Sequence, residues 1–379
     1  MFGNRFQLIK LFGFQVSADP SWFIVVALVT WSLAERYFPQ AYPQLDRPTA
    51  WGMGVVGALL FFLSLVLHEL SHALMARRYG LRIRGITLFI FGGVAEMTDE
   101  PPTAQAEFMV AIAGPIMSVL IAVVSFVVWA VGSQAAWPVA VVGVAQVMWW
   151  LNGVLMLLNL VPAFPLDGGR VLRSILWYWK GNLRWATRVT SAIGSAFGVA
   201  LIALGVLLLI VPPGDLIGGL WLGLIGLFLR NAARMSYQQL LLRRALEGES
   251  VARFMKTDPV VVPRAISIAE LVENFIYKYH FKMFPVVDGD RLLGCVSTRE
   301  VKAIPREEWD RQTVGAIIEK CSPENSVDPG TDAMQALAMM SRTGTSRLMV
   351  VDSDRLLGIL ALKDLLKFFS LKMELEEAA

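Results

Sequence analysis

The chain has 379 residues, of which 55% are hydrophobic and 17% charged, and its mean hydropathy is +0.55. Those figures exclude a wholly soluble globular protein and fit an integral membrane protein that carries a soluble part. The formal net charge is only +3, and no basic cluster is interleaved with aromatics, which excludes nucleic acid as a partner.

The N-terminus has Arg5 and Lys10 ahead of a turn-rich Ser17, Ala18, Asp19, Pro20 run, and lacks the apolar core and cleavage site of a signal peptide. It is expected to stay on the mature protein. Apolar windows able to span the roughly 30 Å hydrocarbon core follow at 21–38, 52–76, 105–132, 138–161, 187–211 and 214–230. Pro212, Pro213, Gly214 and Asp215 are the only break between the last two. Arg77, Arg78, Arg82 and Arg84 follow the second window, Arg170, Arg173, Lys180, Arg184 and Arg188 separate the fourth from the fifth, and Arg230 and Arg234 follow the sixth. Excess positive charge marks cytoplasmic loops, so both termini and everything after the sixth window are expected to be cytoplasmic, in a multi-pass plasma-membrane protein.

Within the second window, Trp51 to Leu67 contains no charged residue and then runs into His68, Glu69, Leu70, Ser71, His72. Helix positions four apart share a face, so His68 and His72 can offer two imidazoles to one metal ion, with Glu69 beside them as a base. Ionisable groups at bilayer depth cost about 2.5 kcal/mol or more each unless paired or ligated, which favours ligation over chance. At 1.5 Å per residue back from Arg77, the pair lies ~8 to 14 Å below the cytoplasmic edge.

A catalytic zinc takes three protein ligands and an open position, so a third is needed. Asp167 is the best candidate, because Pro162 and Pro165 break the fourth helix and let the backbone turn an acid inward. Its alternative role is an N-cap for a helix over 170–180. Asn159 can donate to a developing oxyanion or simply pack helices through its amide, and Asn152 reads as helix glue. Gly114 and Pro115, inside the third window, read as a kink or close packing.

The HExxH at 68–72, the Asn-x-x-Pro-x-x-Pro-x-Asp-Gly-Gly run from 159 to 169, and Gly114-Pro115 together resemble the site-2 protease family of intramembrane zinc metalloproteases. The resemblance covers residues 1–230 and implies zinc ligands His68, His72 and Asp167, one ion per chain, with Glu69 as catalytic base. Residues 85–97 read as two β-prone pieces around a Gly92-Gly93 turn. In the resembling family such a sheet edge pairs with an extended substrate, which here would engage Phe91, Gly92 and Gly93; an ordinary juxtamembrane hairpin is the alternative.

After Arg230 charges of both signs mix and no run can span a bilayer. The segment Phe284 to Gly294 recurs sixty-four residues later as Leu348 to Gly358, each copy followed by an apolar strand and a helix. This resembles a tandem pair of CBS domains, at 252–308 and 309–370, which implies an adenine nucleotide between the repeats. Asp364 is the best ribose partner, with Ser297 behind it, and a scaffolding or homodimerising module without ligand is the alternative. The isolated Cys295 and Cys321 form no disulfide framework and suit a reducing cytosol.

The predicted architecture is therefore a polytopic α-helical membrane domain over 1–230, with about six transmembrane helices and a small membrane-associated β element. A helical linker over 231–251, the soluble α/β CBS pair and a tail over 371–379 follow. The predicted function is hydrolysis of peptide bonds in or near transmembrane segments of membrane proteins, regulated by nucleotide at the CBS pair. A CBS-regulated transporter or channel with a buried ion site is the alternative; Glu69 beside three ligands, which transport does not require, separates the two.

Overall fold

The computed structural model describes residues 6–90, 92–97, 100–211, 214–289, 291–353 and 355–377. The chain forms two compact units, Met1–Gln238 and Gln239–Ala379.

In the first unit, α1 (Pro20–Ser32) starts where Asp19 Oδ1 accepts from Ser21 N at 2.9 Å and Pro20 supplies a preset first-turn φ. A π-helical turn, Leu33–Tyr37, joins it to α2 (Phe38–Ala41). Then come α3 (Arg47–Arg78), α4 (Ala104–Gln134), α5 (Val139–Asn159), α6 (Asp167–Lys180), α7 (Leu183–Ile210) and α8 (Leu216–Leu246). Among the described residues five helices, α3, α4, α5, α7 and α8, are long and apolar enough to cross a membrane. The first expected window, 21–38, is helical too, but its α-helical ladder is interrupted around Glu35 and Arg36. Glu35 accepts from Arg47 and from Trp51 Nε1, both at 2.7 Å, which ties that turn to the start of α3.

Beside α3 lies a four-stranded sheet of β1 (Phe6–Leu11), β2 (Phe14–Ala18), β3 (Ile83–Phe89) and β4 (Gly92–Met97), in the order β1-β2-β3-β4. β3 and β4 pair antiparallel, while β2 and β3 pair parallel from Gln15↔Gly85 to Ala18↔Leu88. Phe14, Val16, Ile86 and Leu88 turn one face of the sheet onto Leu70 and Ala73 of α3. The strands of 85–97 form as expected, but Gly92 and Gly93 open β4 instead of making the turn. The β1-β2 hairpin was not foreseen.

The second unit holds two three-stranded sheets, β5 (Val262–Pro263), β6 (Met283–Asp288) and β7 (Arg291–Ser297), then β8 (Ser326–Val327), β9 (Arg347–Asp352) and β10 (Arg355–Ala361). Both repeats pair their long strands antiparallel with a register shift at the same relative place. The core of the second copy also takes in Leu246, Val251 and Phe254, and Lys256 bridges to Ile359. Val314 packs in the core of the first copy, and Glu319 bridges to Cys295. The lead-in segment of each repeat thus completes the other repeat, an exchange that division at 308/309 does not express.

Candidate metal centre

Both histidines project from the buried face of α3, among Phe62, Leu65, Ala73 and Ala76. α5 ends at Asn159, and seven loop residues carry the chain to Asp167, the first residue of α6. Gly168, Gly169 and Gly194 leave no room for a Cβ against the Leu160–Phe164 backbone, so this loop is held closely between α6 and α7. The N-cap position of α6 is Leu166, and Asp167 turns its carboxylate to the histidines instead of capping the helix.

The three side chains meet. Asp167 Oδ2 lies 3.0 Å from His68 Nε2 and 3.2 Å from His72 Nε2, and the two Nε2 atoms are 3.2 Å apart. One ligand atom from each falls within 4.8 Å of the others. The opposite ring nitrogens are both engaged: His72 Nδ1–H donates to Val110 O at 2.7 Å, and His68 Nδ1 sits 2.9 Å from Ser118 Oγ. A carbonyl acceptor on Nδ1 fixes the tautomer that leaves the Nε2 lone pair for a metal, as in other histidine sites with an oriented outer shell. Two imidazole nitrogens and a carboxylate oxygen, converging on one point, fit zinc.

Asn159 Nδ2 reaches to 3.4 Å from His68 Nε2, so Asn159 belongs to this site. Asn152 bonds Met148 O of its own helix, which is not the interhelical glue expected of it. Glu69 is half-buried, and a Cβ on Gly93 would stand 2.5 Å from its Cγ, so the first residues of β4 lie directly on the expected base. Gly92 is the residue before it, and Phe91 lies outside the described residues.

Three contributors were missed by sequence reasoning. Ser118 and the Val110 carbonyl orient the rings, and Gly114 faces the metal centre: a Cβ there would overlap His72 Nε2 and stand 2.5 Å from His68 Nε2. The close packing expected at Gly114 is therefore packing against the candidate ligands. Their spacing of four residues each was the available signal. Arg173, expected as a solvated topology charge, is buried and donates to the fully buried Glu107.

In the second unit Ser297 lines a cavity, and Asp364 faces Arg347, another of its lining residues. This cavity of about 360 Å³ between the repeats is lined by Ser297, Glu300, Asn325, Thr345 and Arg347, without Asp364. Ser297 Oγ accepts from Arg299 N at 3.1 Å, and its own backbone N–H donates to Glu300 at 2.7 Å, a capping box at the start of the following helix. Asp364 lies 4.0 Å from Lys256 Nζ.

The model of peptidase family M50 matches residues 56–135 and 130–205, and the CBS domain model matches 251–306 and 314–371. The Synechocystis sp. protein sll0528 is 32% identical over 96% of this chain and 95% of its own. Zinc metalloprotease MJ0392 of Methanocaldococcus jannaschii is 30% identical over 84% of this chain and 86% of its own. The solved structure of the site-2 protease from that organism aligns with 61% of this chain and 94% of its own, at 26% identity and a TM-score of 0.41. The transporter reading gives way to the family match and to the two relatives over most of the chain. The chain belongs to peptidase family M50, the site-2 protease family of intramembrane zinc metalloproteases, and carries a tandem CBS pair.

Proposed function

We propose that His68, His72 and Asp167 hold one zinc ion per chain, that Glu69 is the catalytic base, and that Asn159 donates to the oxyanion. The convergence of His68 Nε2, His72 Nε2 and Asp167 Oδ2 within 4.8 Å carries the reading. Zinc held there supplies a Lewis acid that polarises the scissile carbonyl and acidifies water. Glu69 takes the proton of the attacking water and returns it to the leaving nitrogen. Asn159 is neutral and costs less to bury than a cation, yet its amide can donate to the charge that develops on the carbonyl oxygen.

The substrate is a transmembrane segment of another membrane protein, which must be extended before its carbonyl is open to attack. β4 stands at the end of the strand order, and Gly93 at its start packs on Glu69. An extended substrate joined to that edge, past Phe91, Gly92 and Gly93, would satisfy its backbone by strand addition and present a peptide bond to the base. The arginines that follow α3 and line α8 beyond Leu229 support a cytoplasmic CBS pair on a multi-pass membrane protein, which the plasma membrane would carry. The cavity beside Ser297 supports adenine-nucleotide regulation better than the surroundings of Asp364, and titration calorimetry with AMP tests it. The habit of CBS pairs to associate supports a homodimer, read by light scattering.

Purified Glu69→Gln protein with a synthetic transmembrane substrate decides the mechanism. Zinc should remain at one per chain while cleavage disappears. Cleavage at the parental rate would refute the assignment of Glu69.

A further inference from the structure

α4 reaches the metal centre along one face. Glu107, Val110, Gly114 and Ser118 are spaced three, four and four residues apart, which lines them up on one side of a helix. Val110 O and Ser118 Oγ hold His72 and His68, and Gly114 lies against both rings. Glu107, the fourth member, is 0% exposed and reaches α6. Arg173 donates to Glu107 Oε1 from Nε at 2.7 Å and from a terminal nitrogen, and Arg170 Nε stands 4.0 Å from the same oxygen. Arg173 also covers the ring of Phe164, 5.1 Å from its centroid, in the loop that delivers Asp167. Glu107 Oε2 has no hydrogen-bond partner among the described residues, so the carboxylate is committed through Oε1 to α6, to Arg173 and the neighbouring Arg170.

Resting on the zinc-site reading above, we propose that the Glu107–Arg173 pair is a positioning device for Asp167. It fixes α6 and the Phe164 loop to the helix that already orients His68 and His72, so the three ligand atoms keep one register. A buried ion pair is a poor staple compared with apolar side chains of similar volume, because desolvation offsets most of its attraction. What a guanidinium bonded through two nitrogens adds is direction and distance, which apolar contact does not specify.

The test uses the full chain in lipid nanodiscs, with zinc affinity from chelator competition and cleavage kinetics on a synthetic transmembrane substrate. Glu107→Gln keeps the shape and removes the charge, while the double variant E107L/R173M exchanges the pair for apolar side chains. Both should bind zinc about 10- to 100-fold more weakly. At saturating zinc both should lose kcat with KM unchanged, and the double variant should do so while still folded. Parental zinc affinity and kcat in the double variant would make the pair a mere staple and overturn the proposal. If Glu107→Gln does not fold, the double variant decides; if neither folds, Phe164→Ala, which removes the ring beneath Arg173, decides on the same readouts. A parent chain that binds no zinc would overturn the zinc-site reading and this inference with it. A zinc-binding parent with unchanged variants overturns the inference alone.

Discussion

A methyl group added at position 114 should disable the metal centre without removing a single ligand. The Cβ of Gly114→Ala would overlap His72 Nε2 and stand 2.5 Å from His68 Nε2, whereas relaxed contacts sit at about 3.5 to 4.0 Å. The rings or the α4 backbone must therefore move by about 1 Å. Neither moves freely, because His72 is bonded to Val110 and His68 to Ser118 on that same α4, and both Nε2 atoms face Asp167. Misplacing a reacting group by 1 Å can cost about 10²-fold in rate. That corresponds to ~2.7 kcal/mol of transition-state stabilisation at 1.36 kcal/mol per tenfold. Helix propensity alone predicts the opposite sign, since alanine is the better helix former by about 1 kcal/mol. Zinc content by elemental analysis and cleavage of a synthetic transmembrane substrate, both in nanodiscs, read the outcome. A G114A protein with parental zinc and parental rate would refute the placement of α4 over the site.

Ser118→Ala removes the partner of His68 Nδ1 and should weaken zinc binding about 10- to 100-fold while leaving the fold intact; unchanged affinity in chelator competition would mean that Ser118 does not orient the ring. In the CBS pair, burial pushes the Cys295 thiol up to about 12, with the charge of Glu319 and Glu300 adding to it, while Cys321 is exposed. At pH 8 only about one Cys295 in ten thousand is thiolate, so a maleimide should label one cysteine per native chain and two after unfolding. Two labels on the native protein, counted by intact mass, would contradict the packing of the first repeat.

The parts of the site that follow a local period were legible in the sequence. His68 and His72 share a helix face by spacing alone, and Pro162 and Pro165 announced the break that frees Asp167. The CBS pair was legible because eight of eleven residues recur at the same positions. What escaped depends on contacts between distant segments. β2 pairs with β3 across the whole of α1 to α3, and no local pattern in Phe14–Ala18 names that partner. The exchange of lead-in segments between repeats is equally non-local. Arg173 was counted with the topology charges because a sequence cannot distinguish an arginine facing water from one facing Glu107, sixty-six residues away.

The ionisable groups around the candidate metal centre are tied between helices. His68, His72, Asp167 and Glu107 each meet a fixed partner from another helix, which is what buried polar and ionisable groups in a membrane require. That locking suits ligands, whose geometry must not change. Glu69, the neighbour of His68 on α3, also has Gly93 of the sheet's edge strand packed on its side chain. On the proposed mechanism Glu69 has to meet the substrate, and the absence of a side chain at Gly93 is what lets the edge strand come this close to it. Substitution of Gly93 therefore belongs to substrate turnover and substitution of Gly114 to metal binding, although each glycine lies within contact distance of the same HExxH helix.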